Sequence, residues 1–202
     1  RQKEHFGKVL IVGLGMIGGS FAKALKERQL AHLFGADRRH SELALGVSTH
    51  VIDEVAELDE QTVSQMDVIV LATPVRAMEA VLEELKPLIS PRTLITDVGS
   101  TKGSVVAAAK RVFGQVPVNF VPGHPIAGAE KSGVLAANPN LFENHKVIVT
   151  PLPDSHPVMV DRLHRLWSAI GAEVVSMDVE HHDHVLASTS HLPHLLAYTL
   201  VD

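Results

Sequence analysis

Short, unbroken apolar runs alternate along this chain with stretches in which apolar residues recur every three or four positions. A run of four to eight apolar residues indicates a strand buried on both faces, whereas the longer period indicates an amphipathic helix. The strands predicted in this way span residues 8–12, 33–36, 67–72, 93–97, 118–121, 146–150 and 173–177. The predicted helices span residues 16–28, 41–46, 76–86, 102–112, 156–170 and 180–202.

This alternation predicts an α/β fold, a Rossmann-type, doubly wound and mostly parallel sheet with helices on both faces. Proline and glycine concentrate in residues 114–128, which predicts a long functional loop region. The last predicted helix stays strongly apolar up to Asp202, without a glycine stop or a polar tail. We expect either that this helix packs on a partner or, as the favoured explanation, that the sequence is cut inside a longer protein.

Composition narrows the functional classes. The 202 residues include 18 Lys and Arg against 23 Asp and Glu, a formal net charge of −5, and 46% are hydrophobic, which is typical of a globular protein. The sequence contains no basic tract, so nucleic acid is not an expected partner. The absence of cysteine excludes thiolate metal sites and a cysteine nucleophile. No apolar run approaches the ~18 residues of a membrane span, and the N-terminus does not resemble a signal peptide. We therefore expect a soluble, cytoplasmic protein with neither nucleic acid nor membrane as partner.

The strongest chemical signal lies between the first predicted strand and the first predicted helix. Gly13, Gly15 and Gly18 have the spacing G-x-G-x-x-G. In dinucleotide-binding sheets the first glycine permits a tight turn, the second lets the phosphates approach, and the third lets helix and strand pack closely. Met16 and Ile17 would join the cofactor site at the helix N-terminus, whose free N–H groups attract anions. An ordinary glycine-rich turn is the alternative.

Two further segments would complete such a site. Asp37 ends the second predicted strand, near the ~20-residue offset of the acidic residue that binds the adenosine ribose, and this favours NAD. Arg38 and Arg39 follow at once and could instead clamp a 2′-phosphate, so NADP stays open. Thr73 and Pro74 follow a later strand, at the edge where a nicotinamide would lie. A simple strand-to-helix turn explains this pair equally well.

Two more polar segments fall at the same edge of the sheet. Residues 97–103 read D-V-G-S-T-K-G, and they place the hydroxyl of Ser100 and the ammonium of Lys102 where a reacting molecule could sit. Alternatively, Ser100 or Thr101 caps the helix that follows. His124 lies in a loop lined by glycine and proline, and histidine is the side chain best suited to proton transfer near neutral pH. A structural histidine is the alternative.

The histidine-rich segment near the C-terminus raises the question of a metal site. His181 and His184 share one face of the predicted helix, whereas His182 and Asp183 are neighbours and should diverge. No cysteine is available, and the motif H-E-x-x-H does not occur. We therefore expect exposed polar histidines and no bound metal.

Taken together, the motifs G-L-G-M-I-G-G-S, D-V-G-S-T-K-G, G-H-P-I-A-G-A-E-K-S-G and S-H-L-P-H resemble those of the prephenate/arogenate dehydrogenase family of tyrosine biosynthesis. The resemblance covers nearly the whole chain, and the third motif is the most specific. It implies a dinucleotide-binding domain over residues 1–178 and, over residues 179–202, the start of an all-helical dimerisation and substrate domain. A homodimer and a chain cut within that second domain are further implications.

The resemblance also implies a reaction, the NAD(P)-dependent oxidative decarboxylation of prephenate or arogenate. A hydride leaves C4 of the ring, the ring carboxylate departs as CO2, and the ring becomes aromatic. His124 would accept the hydrogen bond of the 4-hydroxyl and help remove its proton, and Ser100 would bond both this histidine and that hydroxyl. His194 would line the substrate pocket, and Glu130 would lie beside the substrate's side chain. The family's carboxylate-binding arginine would lie beyond residue 202.

Two other functions stay open at this point. A second type of two-domain NAD(P)-dependent dehydrogenase, which acts on β-hydroxyacids, shares the glycine motif but usually relies on a lysine of its helical domain. A non-enzymatic dinucleotide-binding module would need a DNA-binding or partner module, for which the sequence shows no sign. The residues do not distinguish prephenate from arogenate, which differ in a keto or amino side chain.

Overall fold

The computed structural model describes residues 4–127 and 132–190, with side chains as far as residue 187. The strands are β1 (Lys8–Val12), β2 (His32–Ala36), β3 (Glu54–Val55), β4 (Val68–Leu71), β5 (Leu94–Asp97), β6 (Gly123–Pro125), β7 (Lys146–Val149) and β8 (Glu173–Ser176). The α-helices are α1 (Met16–Glu27), α2 (His40–Ser48), α3 (Glu60–Val63), α4 (Val75–Leu85), α5 (Lys102–Phe113), α6 (Pro157–Ala169) and α7 (Val179–Ser190). No helix in these described ranges is long and apolar enough to cross a membrane.

The first five strands form a parallel sheet in the order β3-β2-β1-β4-β5. Phe120 extends this sheet by a single parallel bridge to Ile95 of β5. Strands β6, β7 and β8 form a second sheet in that order, with β6 antiparallel to β7 and β7 parallel to β8. The predicted Rossmann-type, mostly parallel sheet is confirmed. Its strand order reverses between β1 and β4, and ligands of such sheets bind outside the carboxyl ends of the strands at this point.

Strand β1 is buried on both faces, which explains its unbroken apolar sequence. Val9 and Ile11 belong to one hydrophobic core, and Leu10 and Val12 belong to the other. Helices α1 and α6 contribute to the first core, whereas α4 and α5 contribute to the second. The sheet is therefore covered on both sides, and only its edges and the ends of its strands can hold a site.

Three aromatic rings pack together in the first core. The ring of Trp167 in α6 lies 4.7 Å from that of Phe21 in α1 and 5.0 Å from that of Phe142, measured between centroids. Phe21 and Phe142 meet edge to face at 6.5 Å. Such tilted and edge-on contacts are the arrangements that aromatic quadrupoles favour. The cluster fixes α6 against α1, the helix that follows the glycine motif.

A buried ion pair joins β5, α5 and β6. The side chains of Asp97 and Lys102 are both 0% exposed, and the Lys102 ammonium donates hydrogen bonds to the Asp97 carboxylate and, at 2.6 Å, to the carbonyl oxygen of Gly123. The other carboxylate oxygen of Asp97 accepts the N–H of Gly123 at 3.2 Å. Burial lowers the pKa of Lys102, and the charge of Asp97 opposes that shift. The expectation that this ammonium faces a ligand is wrong, because the ion pair turns it inward.

Most predicted strands and α-helices agree with the structure to within two residues, but two regions differ. The helix predicted over 180–202 begins as α7, and residues 191–202 lie outside the described residues. The strand predicted at 118–121 contributes only the bridge at Phe120, and the regular strand of this region is β6, which begins at Gly123. Pro117 and Pro122, on either side of this bridge, lack the N–H that a regular ladder requires, so pairing with β5 does not extend beyond it. Strand β3 and helix α3 were not predicted, because two and four residues are too few to show a period.

Phe21→Ala should lower the free energy of unfolding by about 3–5 kcal/mol, because it removes a buried ring and leaves a cavity beside Trp167. Urea denaturation followed by the fluorescence of this single tryptophan measures the loss. Leu135→Ala is the control, since Leu135 is 68% exposed and its removal should cost less than about 0.5 kcal/mol. Equal losses in the two variants would contradict a central role for the aromatic cluster.

Lys102→Met should lower the free energy of unfolding by about 3–5 kcal/mol, because it leaves the Asp97 carboxylate buried without its cation. The double variant with Asp97→Asn should recover part of this loss, since it buries no charge, and a double-mutant cycle in urea gives the coupling. Lys110→Met, at the exposed end of the same helix, is the matched control. A Lys102→Met variant as stable as the unaltered chain would show that the ion pair is dispensable.

Candidate active site

The candidate site follows the row of strand ends at the carboxyl edge of the sheet. In spatial order the row contains the positions Asp37, Gly13, Thr73 and Asp97, at the ends of β2, β1, β4 and β5, and His124 lies next to Asp97 in β6 of the second sheet. Neighbouring strands lie about 4.8 Å apart, so the four strand ends of the parallel sheet alone span roughly 14 Å. A row of this length suits an extended ligand with two chemically different ends.

The glycines between β1 and α1 meet three different requirements. Gly13 has a φ of +97°, and a Cβ there would lie 2.8 Å from the carbonyl carbon of Ala72. A Cβ on Gly18 would lie 2.3 Å from the carbonyl oxygen of Gly13. Around Gly15 there is space, with the Arg39 guanidinium 3.8 Å away as the nearest group. This geometry agrees with a tight turn, close helix packing and an open approach to the backbone.

Helix α1 begins without a side-chain cap. Its N-cap is Gly15, no acidic residue occupies its first turn, and the N–H groups of a first helical turn have no acceptor within the helix. The Met16 side chain is buried and accepts a hydrogen bond from the Ser20 hydroxyl at 3.5 Å, and Ile17 packs against the first core. Met16 and Ile17 can therefore offer an anion their N–H groups, but not their side chains.

The Asp37 carboxylate is fully engaged in hydrogen bonds. Oδ2 accepts from the N–H of Leu14 at 2.7 Å and from Nη2 of Arg39 at 2.8 Å. Oδ1 accepts from the N–H of Arg39 at 2.8 Å and from its Nε at 3.0 Å. Burial alone would raise the pKa of Asp37, but the hydrogen bonds from Arg39 and Leu14 lower it below its usual value. A ribose hydroxyl can therefore bond to Asp37 only if Arg39 withdraws one of the hydrogen bonds that it donates to this carboxylate.

A cleft of about 300 Å³ opens beside this carboxylate, at the ends of β1, β2 and β4. Its walls are largely apolar, with Val12, Leu43 and Val81 among them, and Arg38 and Pro74 line it as well. Such walls suit a flat aromatic ring. The Thr73 hydroxyl, which also lines the cleft, is buried and has no hydrogen-bond partner in the described part of the chain. It can therefore bond to a ligand.

His124 contacts a second histidine. Its Nδ1 lies 2.9 Å from Nε2 of His182 in α7, and Nδ1 of His182 lies 2.8 Å from Oδ1 of Asp183. His124 is 9% exposed and His182 is 0% exposed. Burial, followed by the charge of Lys102, lowers the pKa of His124 to about 3, and Asp183 opposes this shift. His124 is therefore neutral at pH 7 and can accept a hydrogen bond.

Asp183 caps helix α5. Its Oδ1 accepts the N–H of Lys102 at 3.0 Å, and its Oδ2 accepts the N–H of Gly103 at 2.7 Å. Burial raises the pKa of Asp183, but the hydrogen bonds from the adjacent histidine and from these two N–H groups lower it below its usual value. The alternative in which Ser100 or Thr101 caps this helix is wrong. Thr101 occupies the cap position, but its side chain makes no capping bond.

His182 and Asp183 are site residues that the sequence did not predict. Two adjacent helical residues were expected to diverge. The Asp183 carboxylate instead lies between the N-terminus of α5 and the His182 ring, and it contacts both. His181 and His184 are exposed, as expected. Within residues 4–127 and 132–190, no three His, Asp or Glu side chains are grouped so that they could hold a metal.

The other predicted site residues have different outcomes. Ser100 is exposed in the loop between β5 and α5, and no hydrogen bond joins its hydroxyl to His124 or to another described residue. Glu130 and His194 lie outside the described residues. The roles expected for these three residues stay predictions.

Comparisons with known proteins place this geometry in a family. Residues 21–176 match the family model described as the prephenate dehydrogenase nucleotide-binding domain. The cyclohexadienyl dehydrogenase of Zymomonas mobilis is 36% identical over 202 aligned residues, which cover 97% of this chain and 67% of that protein. The prephenate dehydrogenase of Bacillus subtilis is 40% identical over 195 residues, which cover 96% of this chain and 52% of that protein.

A solved structure shows the same likeness over the whole fold. The prephenate dehydrogenase of A. aeolicus, in complex with hydroxyphenyl propionate and NAD+, has a TM-score of 0.87 and 36% identity, covering 100% of this chain and 70% of that one. The chain thus spans about half to two thirds of the length of the curated relatives that it matches. On its sequence motifs, its sheet and these matches, the chain belongs to the prephenate dehydrogenase family.

Proposed function

We propose that this chain binds NAD+ and takes part in the oxidative decarboxylation of prephenate or arogenate. The observation that carries the proposal is the position of His124, a neutral buried histidine at one end of a row of strand ends that contains a dinucleotide-type glycine loop. No hydrogen bond joins its Nε2 to a described residue. Membership of the prephenate dehydrogenase family supports the assignment.

The residues of the row fit NAD+. The loop of Gly13, Gly15 and Gly18, with the first N–H groups of α1, would hold the pyrophosphate. Asp37 would bind the adenosine ribose once Arg39 moves aside. The Thr73 hydroxyl and Pro74 would lie against the nicotinamide half, where this hydroxyl needs a partner. NAD+, when bound, supplies the hydride acceptor.

His124 would act on the 4-hydroxyl of the substrate. As C4 is oxidised, the C4–O bond gains double-bond character, and the hydroxyl proton moves towards Nε2 of His124. The bond between the ring and its carboxylate then breaks, CO2 leaves, and the electron pair of that bond makes the ring aromatic. The proton returns to the oxygen, which becomes a phenol, so none is released overall. A weakly basic histidine suits this transient transfer.

Further parts of the proposal concern Ser100 and residues and surfaces outside the described structure. Ser100 would bond the same substrate hydroxyl, and Glu130 and His194 would contact the rest of the substrate. We also propose a cytoplasmic homodimer that associates through the residues from 179 onward and those of the helical domain expected to follow. The greater length of the relatives supports this second domain. No observation favours a β-hydroxyacid dehydrogenase or a non-enzymatic module.

NAD+ should bind at least about 10-fold more tightly than NADP+, because a 2′-phosphate would approach the Asp37 carboxylate. Isothermal titration calorimetry with each cofactor measures both affinities. Asp37→Ser should reduce the difference, since it removes the negative charge and frees Arg39 for a phosphate. Asp154→Ser, at an exposed loop position, is the control and should leave both affinities unchanged. Tighter binding of NADP+ by the unaltered chain would contradict the role given to Asp37.

His124→Asn in the full-length protein should lower kcat for prephenate by about 10²–10⁴-fold, the usual contribution of a general base. The assay follows the absorbance of reduced nicotinamide, and calorimetry should show a nearly unchanged Kd for NAD+. Ser100→Ala should act in the same direction but more weakly, because it removes one hydrogen bond and not the base. Near-normal turnover of His124→Asn would remove this histidine from the mechanism.

A further inference from the structure

We infer that His182 and Asp183 of α7 select the tautomer of His124 in which Nδ1 carries the proton and Nε2 is free to accept one. Both residues are positioning residues, because they reach the reaction only through His124. The consequence for catalysis depends on the function proposed above, whereas the tautomer itself follows from the hydrogen bonds together with a neutral His182 ring.

The order of donors and acceptors begins at Asp183. Its carboxylate is held by two backbone N–H groups at the start of α5 and, when ionised, can only accept hydrogen bonds. Nδ1 of His182, 2.8 Å from Oδ1, must therefore carry a proton. We take the His182 ring, which is 0% exposed, to be neutral. A neutral imidazole has only one N–H, so Nε2 of His182 is left without a proton and can only accept.

His124 must supply the matching donor. Its Nδ1 lies 2.9 Å from the accepting Nε2 of His182, so Nδ1 carries the single proton of the neutral ring. The opposite tautomer of His124 would place two lone pairs against each other at this distance, where both rings are buried. Nε2 of His124 is consequently the basic atom, as the proposed reaction requires.

Three charged or titratable groups face the His124 ring: Lys102 favours its neutral form, whereas His182 and Asp183 hold it in place. The Lys102 ammonium, bonded to the carbonyl oxygen of the preceding residue Gly123, disfavours a second proton on the ring. His182 supplies the acceptor for Nδ1, and Asp183 anchors His182 to α5. The first turn of α5 therefore holds both ends of this hydrogen-bond chain. Its backbone N–H groups bind Asp183, and the Lys102 side chain binds the carbonyl group next to His124.

Nitrogen NMR of the full-length protein labelled with 15N-histidine tests the tautomer directly. Long-range 1H–15N spectra distinguish the Nδ1–H form, the Nε2–H form and the imidazolium, and the signals of His124 are those lost in His124→Gln. We expect the Nδ1–H form of His124 at pH 6–8. His182→Leu removes the acceptor in a side chain of similar size, and the Nε2–H form should then appear. His182→Gln offers an amide oxygen near the position of Nε2 and should retain the Nδ1–H form.

Matched variants of the exposed neighbour His181 control for general effects on α7. His181→Leu and His181→Gln should leave the His124 signals unchanged, and circular dichroism with urea denaturation shows that each variant is folded. If His124 keeps its Nδ1–H form in folded His182→Leu, the inference is wrong.

Kinetics then test whether the tautomer matters to the reaction. His182→Leu should lower kcat for prephenate by about 10- to 100-fold with little change in KM, and His182→Gln should restore most of the loss. A shifted tautomer with unchanged kcat would contradict the positioning role. A tautomer shift in a protein that oxidises neither prephenate nor arogenate would support the selection of the tautomer and contradict the proposed function.

Discussion

The ion pair between Lys102 and Asp97 is the constraint on which the candidate site depends. Both side chains are 0% exposed, so each charge depends on the other to offset the cost of its burial. The second partner of the Lys102 ammonium is the carbonyl oxygen of Gly123, and the next residue along the chain is His124. A lysine that touches no ligand in this arrangement therefore determines where the proposed base lies, at the carboxyl end of β5.

Lys102 also links this ion pair to α7. Its side chain binds Asp97, while its backbone N–H binds Asp183. Asp183 in turn bonds His182, which contacts His124 from the other side. A cap formed by the helix's own serine or threonine would satisfy the same N–H groups, but it would leave α7 unattached to α5. Capping by a distant aspartate therefore connects helix stability with the orientation of the proposed base.

The two ends of the row differ in how firmly their ion pairs are held. At the cofactor end, Arg39 is 55% exposed, whereas its partner Asp37 is 6% exposed. Because the Arg39 guanidinium is exposed, it can exchange Asp37 for water, which suits a carboxylate that must admit a ribose. At the other end the pair is completely buried and cannot exchange in this way. The site thus combines an adaptable region for the cofactor with a rigid region for proton transfer.

The sequence by itself determined the order of strands and helices, the parallel sheet, the glycine loop and the choice of His124. Apolar periodicity, turn chemistry and the family's motifs are all local signals, carried by residues close together in the chain. Only the tertiary structure decided that Lys102 faces inward and that His182 and Asp183 belong to the site. The Lys102 ammonium meets a carbonyl group 21 positions away, and the contacts of His182 and Asp183 join residues 58 and 81 positions apart. No local pattern records which polar groups will meet across the sheet edge.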